Sequence, residues 1–101
     1  MDGEVGEGDA ILAAVRARID ALDDRLVDLL VQRFAAVAEA ARLKRPYGIP
    51  PLTPRRFAVV LARVTARAEA HGLDPEAARR IWEAIHNEAL RLEARVMAAA
   101  D

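Results

Sequence analysis

Cysteine is absent from this chain of 101 residues, which excludes a disulfide frame, a thiolate metal site and a thiol nucleophile. Such a composition suits a reducing compartment, and a cytoplasmic location is the expectation. With only two histidines, His71 and His86, no histidine-based zinc centre is expected, and no other metal site suggests itself. Aromatic residues make up 4% of the chain, too few to interleave with the short basic pair Arg55-Arg56 as a stacking platform for nucleic acid. A net charge of −1 also lacks the basic excess that draws a protein to a phosphate backbone. The first ten residues are acidic and glycine-rich rather than basic and apolar, unlike a signal peptide. No apolar run is long enough to cross a bilayer. Neither nucleic acid nor a membrane is therefore expected as a partner.

What the chain has is apolar mass of a helical kind. Hydrophobic residues form 53% of it, dominated by Ala, Leu and Val, with Arg as the main cation, and nothing signals a sheet. The expectation is an all-α fold of three helices in one domain, residues 9–101, behind a flexible tail at 1–8. Asp9 can cap the first helix, which runs to about Arg45, where Pro46-Tyr47-Gly48-Ile49-Pro50-Pro51 must break it. Thr53-Pro54, a cap followed by proline in the first helical position, starts the second, which ends near Gly72. Asp74-Pro75 repeats the device for the third, to roughly Ala99. The second helix presents Phe57, Val60, Leu61, Val64 and Ala68 on one side; the third presents Ile81, Ile85, Leu92 and Val96.

Length bears on assembly. About 36 residues in the first helix would span about 54 Å, whereas a compact globule of this size has a radius of gyration of only about 13 Å. Two shorter helices cannot cover its apolar stripe, so a second copy of the chain is expected along it, in a helical homodimer with a shared core. A kinked first helix in a monomeric bundle is the competing arrangement.

Charge in the wrong place supplies the functional signal. The stripe Leu22, Leu26, Leu29, Ala36, Ala40, Leu43 follows coiled-coil spacing, and the position that should hold its next leucine is Arg33. Its neighbours three and four residues away are Leu29, Leu30, Ala36 and Val37, so no carboxylate on its own helix face can neutralise it. A pocket for an anionic ligand is one explanation; an ion pair with another helix or a second subunit is the other. Lys44 lies eleven residues later, about three turns and 20° of rotation, hence on nearly the same face and about 16 Å away. Lysine near a helix C-terminus also has a plain dipole-compensating role. Arg16 lies about 25 Å before Arg33 along one helix, but across an antiparallel dimer seam it could serve the same pocket. On the third helix, Glu93 is the matching anomaly among Ala89, Leu90, Val96 and Met97. It reads either as an inter-helix salt bridge or as a hydrogen-bonding group aimed at a ligand.

The ordered set Arg16-x-x-Ile19-Asp20-x-Leu22-Asp23, Leu29-Leu30-x-x-Arg33, Lys44, Gly48-Ile49-Pro50, Pro54-x-Arg56 and Gly72-Leu73-Asp74 resembles the all-helical class of chorismate mutases. The resemblance implies an intertwined dimer of three-helix chains with two active sites, each taking one arginine from the partner subunit. By matching position, Arg16 would be that arginine, while Arg33, Lys44, Arg56 and Glu93 would line the pocket. It implies a dicarboxylate substrate, a pericyclic conversion of chorismate to prephenate, and no metal or organic cofactor. Lys44 and a donor at position 93 would stabilise charge on the breaking ether oxygen; members of the family carry glutamine or glutamate there.

Three positions depart from the family pattern. The aspartate and glutamate that contact the ring hydroxyl are replaced by Thr53 and Phe57, and the small hydroxyl residue common at position 89 is Ala89. Isochorismate pyruvate lyases and 4-amino-4-deoxychorismate mutases of the same fold resemble this chain in having an apolar residue at position 57. A catalytically silent dimerisation or regulatory module is the alternative of a different class.

Overall fold

The structure is a computed structural model that describes residues 6–51 and 53–99. Three helices carry it: α1 (Glu7–Lys44), α2 (Pro54–Ala70) and α3 (Pro75–Ala98), with a 3-10 turn at Arg45–Tyr47 after α1. No strand occurs among the described residues. The all-α, three-helix expectation holds. The chain divides into two units, Met1–Arg33 and Phe34–Asp101, so that α1 contributes its first part to one and its last part to the other.

In the first unit, α1 begins at Glu7, two residues before the expected cap, while residues 1–5 of the expected tail lie outside the described residues. The Gly6 carbonyl accepts from the Ala10 amide at 3.1 Å and closes the first turn. Asp9 therefore sits inside that turn, where a carboxylate complements the helix dipole, and its Oδ1 accepts from Arg16 Nη1 at 2.8 Å. Both side chains are more than half exposed, so this pair contributes little. The apolar stripe is bare: Ile11, Ile19, Leu22, Leu26 and Leu29 are each more than half exposed.

The second unit is where helices pack. After α1, Gly48 adopts the left-handed conformation at φ 65°, and the Ile49 amide returns to the Lys44 carbonyl at 3.1 Å, satisfying the helix end as proline blocks its continuation. Thr53 caps α2, its Oγ1 accepting from the Arg56 amide at 3.3 Å. At the other end Gly72, at φ 82°, turns the chain, and the Leu73 amide donates to the Ala68 carbonyl at 2.8 Å. Asp74 then caps α3 through Oδ1 and the Glu76 amide at 3.0 Å.

The resulting α2–α3 hairpin holds the core, Val60, Val64 and Ala68 of α2 against Ala78 of α3, with Trp82 packed on it. On α2 the expected face is the one observed, with Phe57 and Leu61 half-buried at its margin. On α3 the expected stripe needs correction. Ile81 is 50% exposed, whereas Ala78 and Ala89 are completely buried. Small residues let the helices approach closely, and the larger Trp82, one position round the helix, fills the space the pattern gave to Ile81. Ile85, Leu92 and Val96 are half-buried.

Replacing Asp74 by alanine removes the side-chain acceptor at the start of α3. The expected cost is about 1 kcal/mol, read as a lower midpoint in urea unfolding followed by circular dichroism. Asp74→Asn, which keeps an acceptor, should lose much less; an unchanged midpoint in Asp74→Ala would show that the cap contributes nothing.

Candidate active site

Four buried apolar residues in the second unit are alanines, so the largest side chain with under 2% exposure is a charged one, Glu93, at 1%. Its position on α3 explains the burial. Ala89 and Leu90 precede it by a turn and Val96 and Met97 follow by a turn, which gives the carboxylate an apolar collar. Lys44, the last residue of α1, donates through Nζ to Glu93 Oε1 at 2.9 Å. The lysine is 22% exposed, so its aliphatic stem is covered and its ammonium reaches the carboxylate from the rim. Of the two readings of Glu93, the inter-helix salt bridge is present, with Lys44 as a partner.

Arg45 strengthens the same junction. Its Nη1 donates to the Val96 carbonyl at 3.3 Å and also to that of Ala99, placing a cation on the unsatisfied carbonyls at the end of α3.

On the opposite side of the hairpin sequence, α2 supplies the second feature. Its first turn, fixed by the Thr53 cap and by the Phe57 amide bonding to the Thr53 carbonyl at 3.1 Å, sets Arg56 exposed and Phe57 half-buried. The Phe57 ring stacks on His86 of α3 with centroids 3.7 Å apart and planes inclined by 12°. The structure thus joins Lys44 to Glu93, and Phe57 to His86, with Ala89 on α3 between Glu93 and His86 in sequence. Thr53 is half-buried as the cap.

The two remaining candidates belong to the first unit. Arg33, its last residue, is half-buried with Nη1 fully covered, so the sequence anomaly is a physical one. Arg16 is exposed and engaged with Asp9. His86 is the residue that sequence reasoning missed. Its signal was present as spacing, three residues before Ala89 and seven before Glu93, hence on one face of α3.

Elsewhere the charges are ordinary. Arg79 hydrogen-bonds Glu76 and holds that carboxyl below its usual range, but the pair lies near the surface in the first turns of α3, away from Glu93. A concavity beside Trp82, rimmed by Arg63, Arg67 and His71, includes none of the expected site residues. Among the described residues no group of three or more potential ligands could hold a metal ion, and no helix is long and apolar enough to cross a membrane.

Comparison with known proteins bears on what this arrangement is. Residues 15–94 match the family model described as chorismate mutase type II. The chain is 43% identical over 67 residues to the T-protein of Enterobacter agglomerans, an alignment covering 66% of this chain and 18% of that protein. It is 37% identical over 82 residues to the 4-amino-4-deoxychorismate mutase of Streptomyces pristinaespiralis, covering 81% of this chain and 64% of the relative. With the protein of the same name from Streptomyces venezuelae it shares 35% identity over 86 residues, covering 85% and 84%. The chain thus spans less than two thirds of the length of the first two. The matched span contains every candidate residue from Arg16 to Glu93, on a helical chain of the expected order, and the chain belongs to the chorismate mutase type II family.

Proposed function

We propose that this chain catalyses the rearrangement of chorismate to prephenate, and the observation that carries the reading is the buried Glu93 carboxylate, 1% exposed, with the Lys44 ammonium 2.9 Å from it. In this reaction an ether C–O bond breaks as a C–C bond forms in one cyclic shift of electrons. No proton is transferred and no covalent intermediate with the protein is needed. The protein's task is to hold the dicarboxylate folded and to stabilise charge as it develops on the ether oxygen.

The residues divide that work. Arg33 grips one substrate carboxylate through its planar fork, and Arg16 of the partner subunit grips the other. Arg56 and Thr53 line the start of α2. Lys44 and Glu93 address the ether oxygen. Phe57 and Ala89 bound the ring. A homodimer with shared sites accords with the bare stripe Ile19, Leu22, Leu26 and Leu29 and with a core whose largest buried apolar side chains are valines. The proposed setting is aromatic amino-acid or related secondary metabolism in the cytoplasm.

A second substrate, 4-amino-4-deoxychorismate, is favoured by one observation. Phe57, stacked on His86, stands where the family pattern has a glutamate, so a ring hydroxyl meets no carboxylate from that position. Assaying the protein with chorismate, 4-amino-4-deoxychorismate and isochorismate separates the readings. Prephenate formation from chorismate supports the first and turnover of the amino compound alone selects the second. Pyruvate release from isochorismate makes the chain a lyase, and no turnover of any makes it a non-catalytic module.

Shared sites make a quantitative prediction. Arg16→Ala and Arg33→Ala should each lose of order 10² to 10⁴ in rate, and Arg33→Lys should also fail. Mixing the two alanine variants under subunit exchange should restore roughly a quarter of wild-type activity, since half the dimers are mixed and each mixed dimer has one intact site. No recovery in mixtures shown to contain heterodimers would refute the composite site.

For Glu93, glutamine supplies a permanent donor of nearly the same shape. Glu93→Gln should retain or improve turnover near neutral pH. A folded Glu93→Gln protein without activity would show that the negative charge is what the site uses.

A further inference from the structure

Lys44 and Glu93 meet at 2.9 Å although 49 residues separate them, and neither α1 nor α3 fixes that distance by itself. Arg45, the next residue, leaves the α-helix for the 3-10 turn and reaches α3 just beyond Glu93. Its half-buried side chain donates through Nη1 to the carbonyl of Val96, at 3.3 Å, and to that of Ala99. Val96 lies three residues past Glu93, a rise of about 4.5 Å. Two consecutive residues at the end of α1 thus hold consecutive turns of α3, Lys44 by a side chain and Arg45 by the backbone.

The two contacts differ in stiffness. Lys44 carries its charge on a flexible four-carbon stem and is 22% exposed, so rotamers that leave the carboxylate are open to it. The guanidinium is planar, and one nitrogen serving two backbone carbonyls admits few orientations. Those carbonyls stand at the end of α3, where a helix runs out of amides of its own to hold them. Resting on the function proposed above, we propose that Arg45 is a positioning residue for the Lys44–Glu93 pair: by clamping the last turn of α3 to the end of α1, it sets the separation and direction with which the two groups face the ether oxygen.

Positioning of this kind shows in the chemical step. Charge appears on the ether oxygen only in the transition state, so misplaced partners lose stabilisation there while the substrate carboxylates are still gripped by Arg33 and Arg16. Loosening the clamp therefore lowers kcat and leaves KM nearly unchanged. A plain cap on the helix end behaves differently: it requires only a positive charge, and its loss has the same effect whether or not Lys44 is present.

The test uses the full chain and whichever of chorismate and 4-amino-4-deoxychorismate the wild type turns over faster, with rates taken per folded protein. Arg45→Ala should lower kcat roughly 5- to 30-fold and shift KM by less than about twofold. Arg45→Lys keeps the charge at the helix end, and with it the fold, but not the planar group; it should still lose roughly threefold or more in kcat. In a Lys44→Ala background there is no pair left to position, so adding Arg45→Ala should change kcat by less than about twofold. Full activity in Arg45→Lys, or an equal loss from Arg45→Ala with and without Lys44, would reduce Arg45 to a helix cap and overturn the inference. A readout independent of activity is amide hydrogen exchange, which Arg45→Ala should speed at Val96 to Ala99; unchanged exchange there would overturn the clamp itself. A wild type inert toward both substrates would instead overturn the function on which the inference rests, whereas an active wild type with unchanged kcat in Arg45→Ala would overturn the inference alone.

Discussion

A carboxylate deprived of water must be compensated, because an uncompensated buried charge costs several kcal/mol. Glu93 is in that position, and the structure answers it by bringing the last residue of α1 onto the final turns of α3. The junction is electrostatic more than apolar. Ala41 is the one fully buried residue of α1 among those described, while Lys44 and Arg45 together reach the Glu93 carboxylate and the Val96 and Ala99 carbonyls. An ion pair replaced by apolar side chains of equal volume would often stabilise a fold as well or better, so stability alone is a weak reason to keep one here. The proposed site, which would present charge to a dicarboxylate, supplies a stronger reason.

The same choice leaves the rest of the core thin. In the α2–α3 hairpin, Val60 and Val64 meet alanines and the half-buried Trp82, which buries little apolar area per residue. The leucines that would ordinarily thicken such a core lie instead on the first part of α1, exposed. A chain that leaves its bulky apolar side chains on one uncovered helix face and keeps alanines inside has the composition of half an assembly, which is the physical basis for the proposed dimer.

Along α3 one stripe holds mixed chemistry: His86, Ala89, Glu93. The ion-pair end offers charge, and the aromatic end offers a flat surface. In the proposed reaction, charge at the first end stabilises a developing oxyanion.

The helices and their ends were legible from the sequence because they depend on local chemistry: Thr53-Pro54 and Asp74-Pro75 start helices, and Gly72 ends one, wherever they occur in a chain. Arg33 and Glu93 were legible for a related reason, since a charge among apolar neighbours at helical spacing is an anomaly in one dimension. The start of α1 was read two residues late because Gly6, lacking a capping side chain, closes the first turn through its carbonyl. Which cation meets Glu93, why Ala78 and Ala89 are buried while Ile81 is not, and that His86 lies flat on Phe57 were decided by tertiary structure alone. Each depends on the axial register and rotation of one helix against another, and those are set by packing between residues far apart in the chain, which no local pattern encodes.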